Sequence, residues 1–193
     1  ETVVVNGGNF YLGNVNTGEN GSPWIFNVNG NNTGHVTVNG GTFNYDVNHQ
    51  YWAFEVHVDK ESALKNNGND TWTVVPAVAY VLEANNGYTR ETGYATLEDA
   101  MASKYGNEVT MLNDIALAKT VTVPAGKEVV LDLNGKTISA NIAEQLTKSF
   151  AAIQNKGTLT VKDATATAAG KISVSYAGNT FGYGMGLYTI SNE

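Results

Sequence analysis

The sequence contains no cysteine, a single arginine (Arg90) and only 3 prolines in 193 residues. Without cysteine there is no disulfide scaffold and no thiolate zinc site. Charged residues make up 15%, below the roughly 25% usual for a globular domain. Acidic residues outnumber basic ones, 18 to 11, for a formal net charge of −7, and the lysines do not cluster. Such a surface repels phosphate backbones, so no nucleic-acid partner is expected. No apolar run approaches the roughly 18 residues of a membrane span.

What is abundant is Gly (21 residues), with frequent Asn, Thr and Val. Asn and Gly tolerate positive φ, and β-branched residues fit a pleated surface, so short strands joined by tight turns are expected. Hydrophobic content of 42% argues against disorder.

Repeats carry the fold argument. Val3-Val4-Val5-Asn6-Gly7-Gly8-Asn9-Phe10 recurs as Val36-Thr37-Val38-Asn39-Gly40-Gly41-Thr42-Phe43. Val-x-Val places two branched side chains on one face, Asn-Gly-Gly bends the chain, and Phe returns to the buried side. Trp24 to Gly30 offers a further strand between the copies. A second echo links Ala152-Ile153-Gln154-Asn155 with Thr189-Ile190-Ser191-Asn192. Coils stacked one on another suit these whole-unit recurrences better than a hairpin sandwich. The expected fold is all-β, with right-handed parallel β-helix (solenoid) segments.

The expected organisation has three parts. Residues 1–76 form the C-terminal coils and cap of a first segment, with the cap from Asp46 to Pro76. In it Lys60 to Lys65 is helix-tolerant, Asn66 to Asp70 a turn, and Trp72 to Val75 a strand. Residues 77–92 are a connection, polar from Glu83 to Gly93. Residues 93–193 start a second segment with a short capping helix, Leu97 to about Tyr105, N-capped by Thr96 with Asp99 three residues on and ended by Gly106. Val129, Leu131 and Leu133 should face inward, Val130 and Asp132 outward. Both termini fall inside strand-like runs, and a segment of a longer protein is expected.

Tyr94-Ala95-Thr96-Leu97-Glu98-Asp99-Ala100, Val109 to Asp114, and Leu131-Asp132-Leu133-Asn134-Gly135-Lys136-Thr137-Ile138 resemble the pectin-lyase-like β-helix repeats of gut-bacterial surface proteins and adhesins. Similar modules occur in phage head and tail fibres. Gly40 to Phe43, Tyr45-Asp46-Val47 and Trp72 to Pro76 resemble the C-terminal cap of the same module. The resemblance implies an extracellular setting, on a bacterial surface or a virion. It implies a fold that carries lyases, hydrolases, adhesins and fibres alike.

No catalytic, cofactor or metal residues are expected. Arg90 lies in the connection, Gly34-His35-Val36 lacks the second Gly of a Gly-His-Gly, and His49 and His57 show no ligand spacing. Asp132 reads as a lone solvated carboxylate, and Asp114 and Asp163 as turn residues. No EF-hand or nonapeptide calcium signature is present. Asn6, Asn39, Asn134 and Asn155 are expected to bond neighbouring backbone and stack into ladders. The candidate glycan contacts are Tyr51, Trp52, Trp72 and Tyr183, with Phe54, Phe181 and Tyr188 nearby; core closure is the competing role. The expected function is a non-catalytic structural or adhesive fibre segment, with cell-surface glycans and fellow fibre subunits as partners. The alternatives are a fragment of a polysaccharide lyase or glycoside hydrolase with its active site elsewhere, and a carbohydrate-binding module.

Overall fold

The computed structural model describes residues 2–12, 25–26, 35–47, 56–85, 87–143, 146–178 and 184–193. The chain is a β-solenoid of about five turns whose parallel sheets stack, and strands dominate over helix. Strand β1 (Thr2–Phe10) lies parallel to β2 (His35–Phe43), with Val3 opposite Val36, Val5 opposite Val38 and Phe10 opposite Phe43. The first sequence echo is therefore a spatial superposition of one coil on the next. Phe10 and Phe43 stack with ring centroids 5.1 Å apart. The Gly-Gly step has a steric reason. Gly8 and Gly41 sit at φ +112° and +120°, and a Cβ on Gly40 would press on the Asn6 carbonyl of the coil beside it.

Strand β3 (Val56–Val58) continues the parallel pairing on the first half of β2, joining Val36 to Val56 and Val38 to Val58. The direction then reverses. Strands β4 (Ser62–Asn66) and β5 (Trp72–Pro76) form an antiparallel hairpin, and β5 meets the second half of β2 at Thr42 and Phe43. The helix-tolerant stretch from Lys60 is thus a turn and a strand. Ala63 buries fully while Lys65 stays in solvent, and pairing with β5 satisfies the backbone that a one-turn helix would leave open. The Asn66 to Asp70 turn is as expected, with Gly68 and Asp70 at positive φ.

The expected connection is likewise ordered structure. Strands β6 (Ala79–Asn85) and β7 (Tyr88–Tyr94) form a second antiparallel hairpin. Helix α1 (Leu97–Met101) follows, capped by Thr96, whose Oγ1 accepts from the Asp99 amide and donates to the Asp99 carboxylate at 2.6 Å. The helix stops short of Tyr105. Ala102 caps it, Ser103 turns its hydroxyl inward to Glu83, and Lys127 from the following coil donates to the Ser103 and Gly106 carbonyls.

Beyond α1 the coils have three faces. Strands β8 (Glu108–Met111), β9 (Ile115–Ala116) and β10 (Val121–Val123) make one coil. The next is β11 (Glu128–Asp132), β12 (Thr137–Ile142) and β13 (Phe150–Asn155), and the last is β14 (Thr158–Lys162), β15 (Lys171–Tyr176) and β16 (Leu187–Asn192). Each of these strands pairs in parallel with its counterpart one coil away, in the orders β14-β11-β8, β15-β12-β9 and β10-β13-β16, and β6 joins β8 antiparallel, which extends the first sheet to β14-β11-β8-β6-β7. The second echo is again a superposition, with Ile153 opposite Ile190 and Asn155 opposite Asn192. Val129, Leu131 and Leu133 are buried inward as expected. Asn134 and Gly135, at φ 48° and 72°, supply the consecutive left-handed residues of the corner.

Buried side chains fall into two clusters. One gathers Val5, Val36, Val38, Phe43, Val47, Val56 and Val58; the other runs from Ala79 through Leu97, Met101 and Leu131 to Ile153. Leu97, Ala100 and Met101 belong to the second, so α1 packs its apolar side on the end of that core beside β10.

Candidate functional site

Of the four glycan-contact candidates, Tyr51, Trp52 and Tyr183 lie outside the described residues, as do Phe54, Phe181, His49 and the strand expected from Trp24 to Gly30, apart from Ile25 and Phe26. Trp72 is described and half-buried. It sits opposite Phe43 in one ladder and Asn66 in the other, which places it at the capping end of the first core. Among the described residues the exposed aromatic side chains are Tyr11, Tyr88 and Tyr188.

The polar chemistry concentrates where β7 passes β3. Glu83 on β6 is 0% exposed. Its Oε2 accepts from Thr92 Oγ1 at 2.6 Å and from Arg90 at 3.4 Å; its Oε1 accepts from the Tyr94 hydroxyl at 2.5 Å and Ser103 Oγ at 3.0 Å. Arg90 also donates to the Val56 carbonyl of β3 at 3.2 Å, so one guanidinium ties the β6–β7 hairpin to the parallel strands of the first region. Burial pulls the Arg90 guanidinium below its ordinary value, and the neighbouring Glu83 carboxylate opposes that pull. The Tyr94 hydroxyl is pushed well above its ordinary value by burial and by Glu83. A carboxylate sealed from solvent and already engaged by these donors is poorly placed to reach a substrate bond.

In front of this pair lies a groove of about 440 Å³, within the size range of small-ligand clefts. Strand β3 contributes His57, the β3–β4 turn Asp59 and Lys60, β2 His35, and β7 Tyr88, Arg90 and Glu91. Lys60 bonds Glu91 at 2.6 Å across the groove and lies 5.4 Å from the Tyr80 ring centre. Asp59 accepts from the Glu61 amide, which fixes the turn. Burial, then the Arg90 charge, lowers the His57 pKa below its ordinary 6.5, with Asp59 opposing.

A second polar cluster corrects the expectation for Asp132. The side chain does leave the core, yet the residue is only 7% exposed. Its Oδ1 accepts from the Asn134 amide at 2.9 Å and, from the next coil, the Ala164 amide at 3.0 Å; Lys162 stands 3.8 Å away. Asp163 returns the contact by accepting from the Gly135 amide, together with the Thr165 and Gly170 amides and Thr165 Oγ1. The Thr165 hydroxyl and the backbone amides hold the Asp163 carboxyl below its ordinary value. Two adjacent coils are thereby stapled by their corner aspartates. Asp114 plays a similar part, accepting from the Thr137 amide.

The asparagine ladders take the expected form. Asn39 donates to Asn6 at 3.1 Å and Asn155 to Asn192 at 2.7 Å, while Asn134 donates to the Met111 carbonyl. Among the described residues no group of three or more His, Cys, Asp or Glu is placed to hold a metal ion, and no helix is long and apolar enough to cross a membrane.

The class these features define is a parallel β-solenoid with antiparallel hairpins and a short helix at its interruptions. Protein-family models, curated proteins and solved structures give no match to this chain.

Proposed function

We propose that the chain is a non-catalytic structural and adhesive segment of a long extracellular fibre, on a bacterial surface or a virion. The supporting observation is that two copies of one sequence unit, Val3–Phe10 and Val36–Phe43, lie directly over each other in parallel register. Each coil spends its strand hydrogen bonds on its neighbours, which favours a stiff rod with a rise of about 4.8 Å per coil. The corner aspartates and asparagine ladders add contacts along the same axis. The resemblance to pectin-lyase-like repeats of surface proteins and phage fibres agrees with this role.

Two measurements test the proposal together. Solution X-ray scattering should give the cross-section of a compact rod. Incubation with pectic, alginate and glycosaminoglycan polymers, calcium supplied, should yield neither new reducing ends nor unsaturated products. Turnover abolished by Asp132→Asn or Glu83→Gln would replace the fibre reading with the polysaccharide-lyase or hydrolase one.

A further inference from the structure

We infer that the groove between the β3–β4 turn and β7 is a subsite for one residue of a neutral saccharide chain, with Tyr88 as its stacking face. This deepens the adhesive part of the fibre reading by giving it a place and a ligand class. The rod can stand if the groove binds nothing, because scattering and binding read different properties.

The argument starts from what the groove presents. Tyr88 is 42% exposed at the tip of the β6–β7 hairpin. An aromatic ring with one end in water suits a sugar, whose C–H face packs on the π-system while its hydroxyls stay outside. The rest of the lining is made of side chains already fixed in place. Asp59 is held by the Glu61 amide, and Lys60 and Glu91 hold each other at 2.6 Å. Arg90 is anchored on Glu83 and the Val56 carbonyl. Pre-ordered walls reduce the entropy lost on binding. His57, whose pKa burial and then the Arg90 charge lower, offers in its neutral form one N–H donor and one lone-pair acceptor. A hydroxyl, which both donates and accepts, matches that pair.

Charge decides between neutral and acidic sugars. Lys60 is matched by Glu91, and Arg90 by Glu83 behind it. Among the described residues lining the groove, Asp59 is the carboxylate left over from these pairings, with His57 and His35 beside it in the lining. A uronate or sulfated residue would face a carboxylate without a cation in excess, whereas a neutral hexose meets only hydrogen-bonding groups and a ring.

The test uses the purified chain with neutral gluco-, galacto- and mannotrisaccharides, and trigalacturonate as the acidic probe, read by ligand-observed NMR. At least one neutral trisaccharide should bind, with a Kd on the order of 1 mM, and trigalacturonate should bind more weakly. Tyr88→Ala should weaken binding about tenfold, Tyr88→Phe should retain it, and Tyr188→Ala on the far coils should leave it unchanged. Unaltered amide spectra elsewhere in each variant establish that it is folded. Absence of binding by every neutral trisaccharide, indifference to Tyr88→Ala, or tighter binding of trigalacturonate would each overturn the inference.

Discussion

Glu83 and Asp163 are both acidic residues held by several donors, yet they solve different problems. Glu83 is sealed from solvent and held by side chains: Arg90, Thr92 and Tyr94 from β7, and Ser103 after α1. Asp163 lies at a coil corner and is held mostly by backbone amides of its own turn and of the preceding coil. The first arrangement is made once, where parallel stacking gives way to antiparallel hairpins. The second is a form of turn chemistry that neighbouring coils share, as Asp132 shows. An interruption in a repeat therefore needs individually matched side chains, whereas the repeat itself can be held by amides that every coil possesses.

The comparison can be broken most sharply at Arg90. Arg90→Met should lower unfolding free energy by about 3–5 kcal/mol, because it leaves Glu83 buried without its counter-charge; urea denaturation of the variant measures it. Leu131→Ala, a truncation inside the regular coils, should cost about 2–5 kcal/mol by the same assay. A loss at Arg90 well below that at Leu131 would mean the hairpin junction tolerates an unpaired charge.

Asp132→Ala should cost about 1–3 kcal/mol, since it strands the Asn134 and Ala164 amides. Asp163 should show its role through pH. Its folded-state pKa is depressed below the ordinary value near 3.8, so its contribution is complete above that value and disappears as pH falls through the folded-state pKa. Asp163→Asn should accordingly flatten the acid limb of the stability profile, and an unchanged limb would show that the corner is held without the charge. The smallest effect belongs to Lys60→Met, which removes an exposed ion pair with Glu91 and should leave the denaturation midpoint within experimental error.

The repeating part of the fold was legible in the sequence because its physics is local and recurrent. Alternation placed Leu131 and Leu133 inward, Asn134-Gly135 marked a corner, and Thr96 with Asp99 marked a helix start. The interruptions were not legible. Nothing in Ser62 to Asn66 announces that β5 will pair with it. Glu83 reads as one more polar residue until Arg90, Tyr94 and Ser103 are brought around it. Asp132 shows the limit most clearly: period-two alternation gives its face correctly, but not that the next coil lays Ala164 and Lys162 over it. The groove around Tyr88 was missed for the same reason, since β7 meets β3 and the β3–β4 turn only in the folded chain.

The asparagine ladders join residues 33 apart in one region and 37 apart in the other, yet the stacked partners still face each other. Corners absorb extra residues, and the rungs do not register the change. Coil length is thus set at the corners and register at the strands, so neighbouring coils can differ in circumference while their rungs stay aligned.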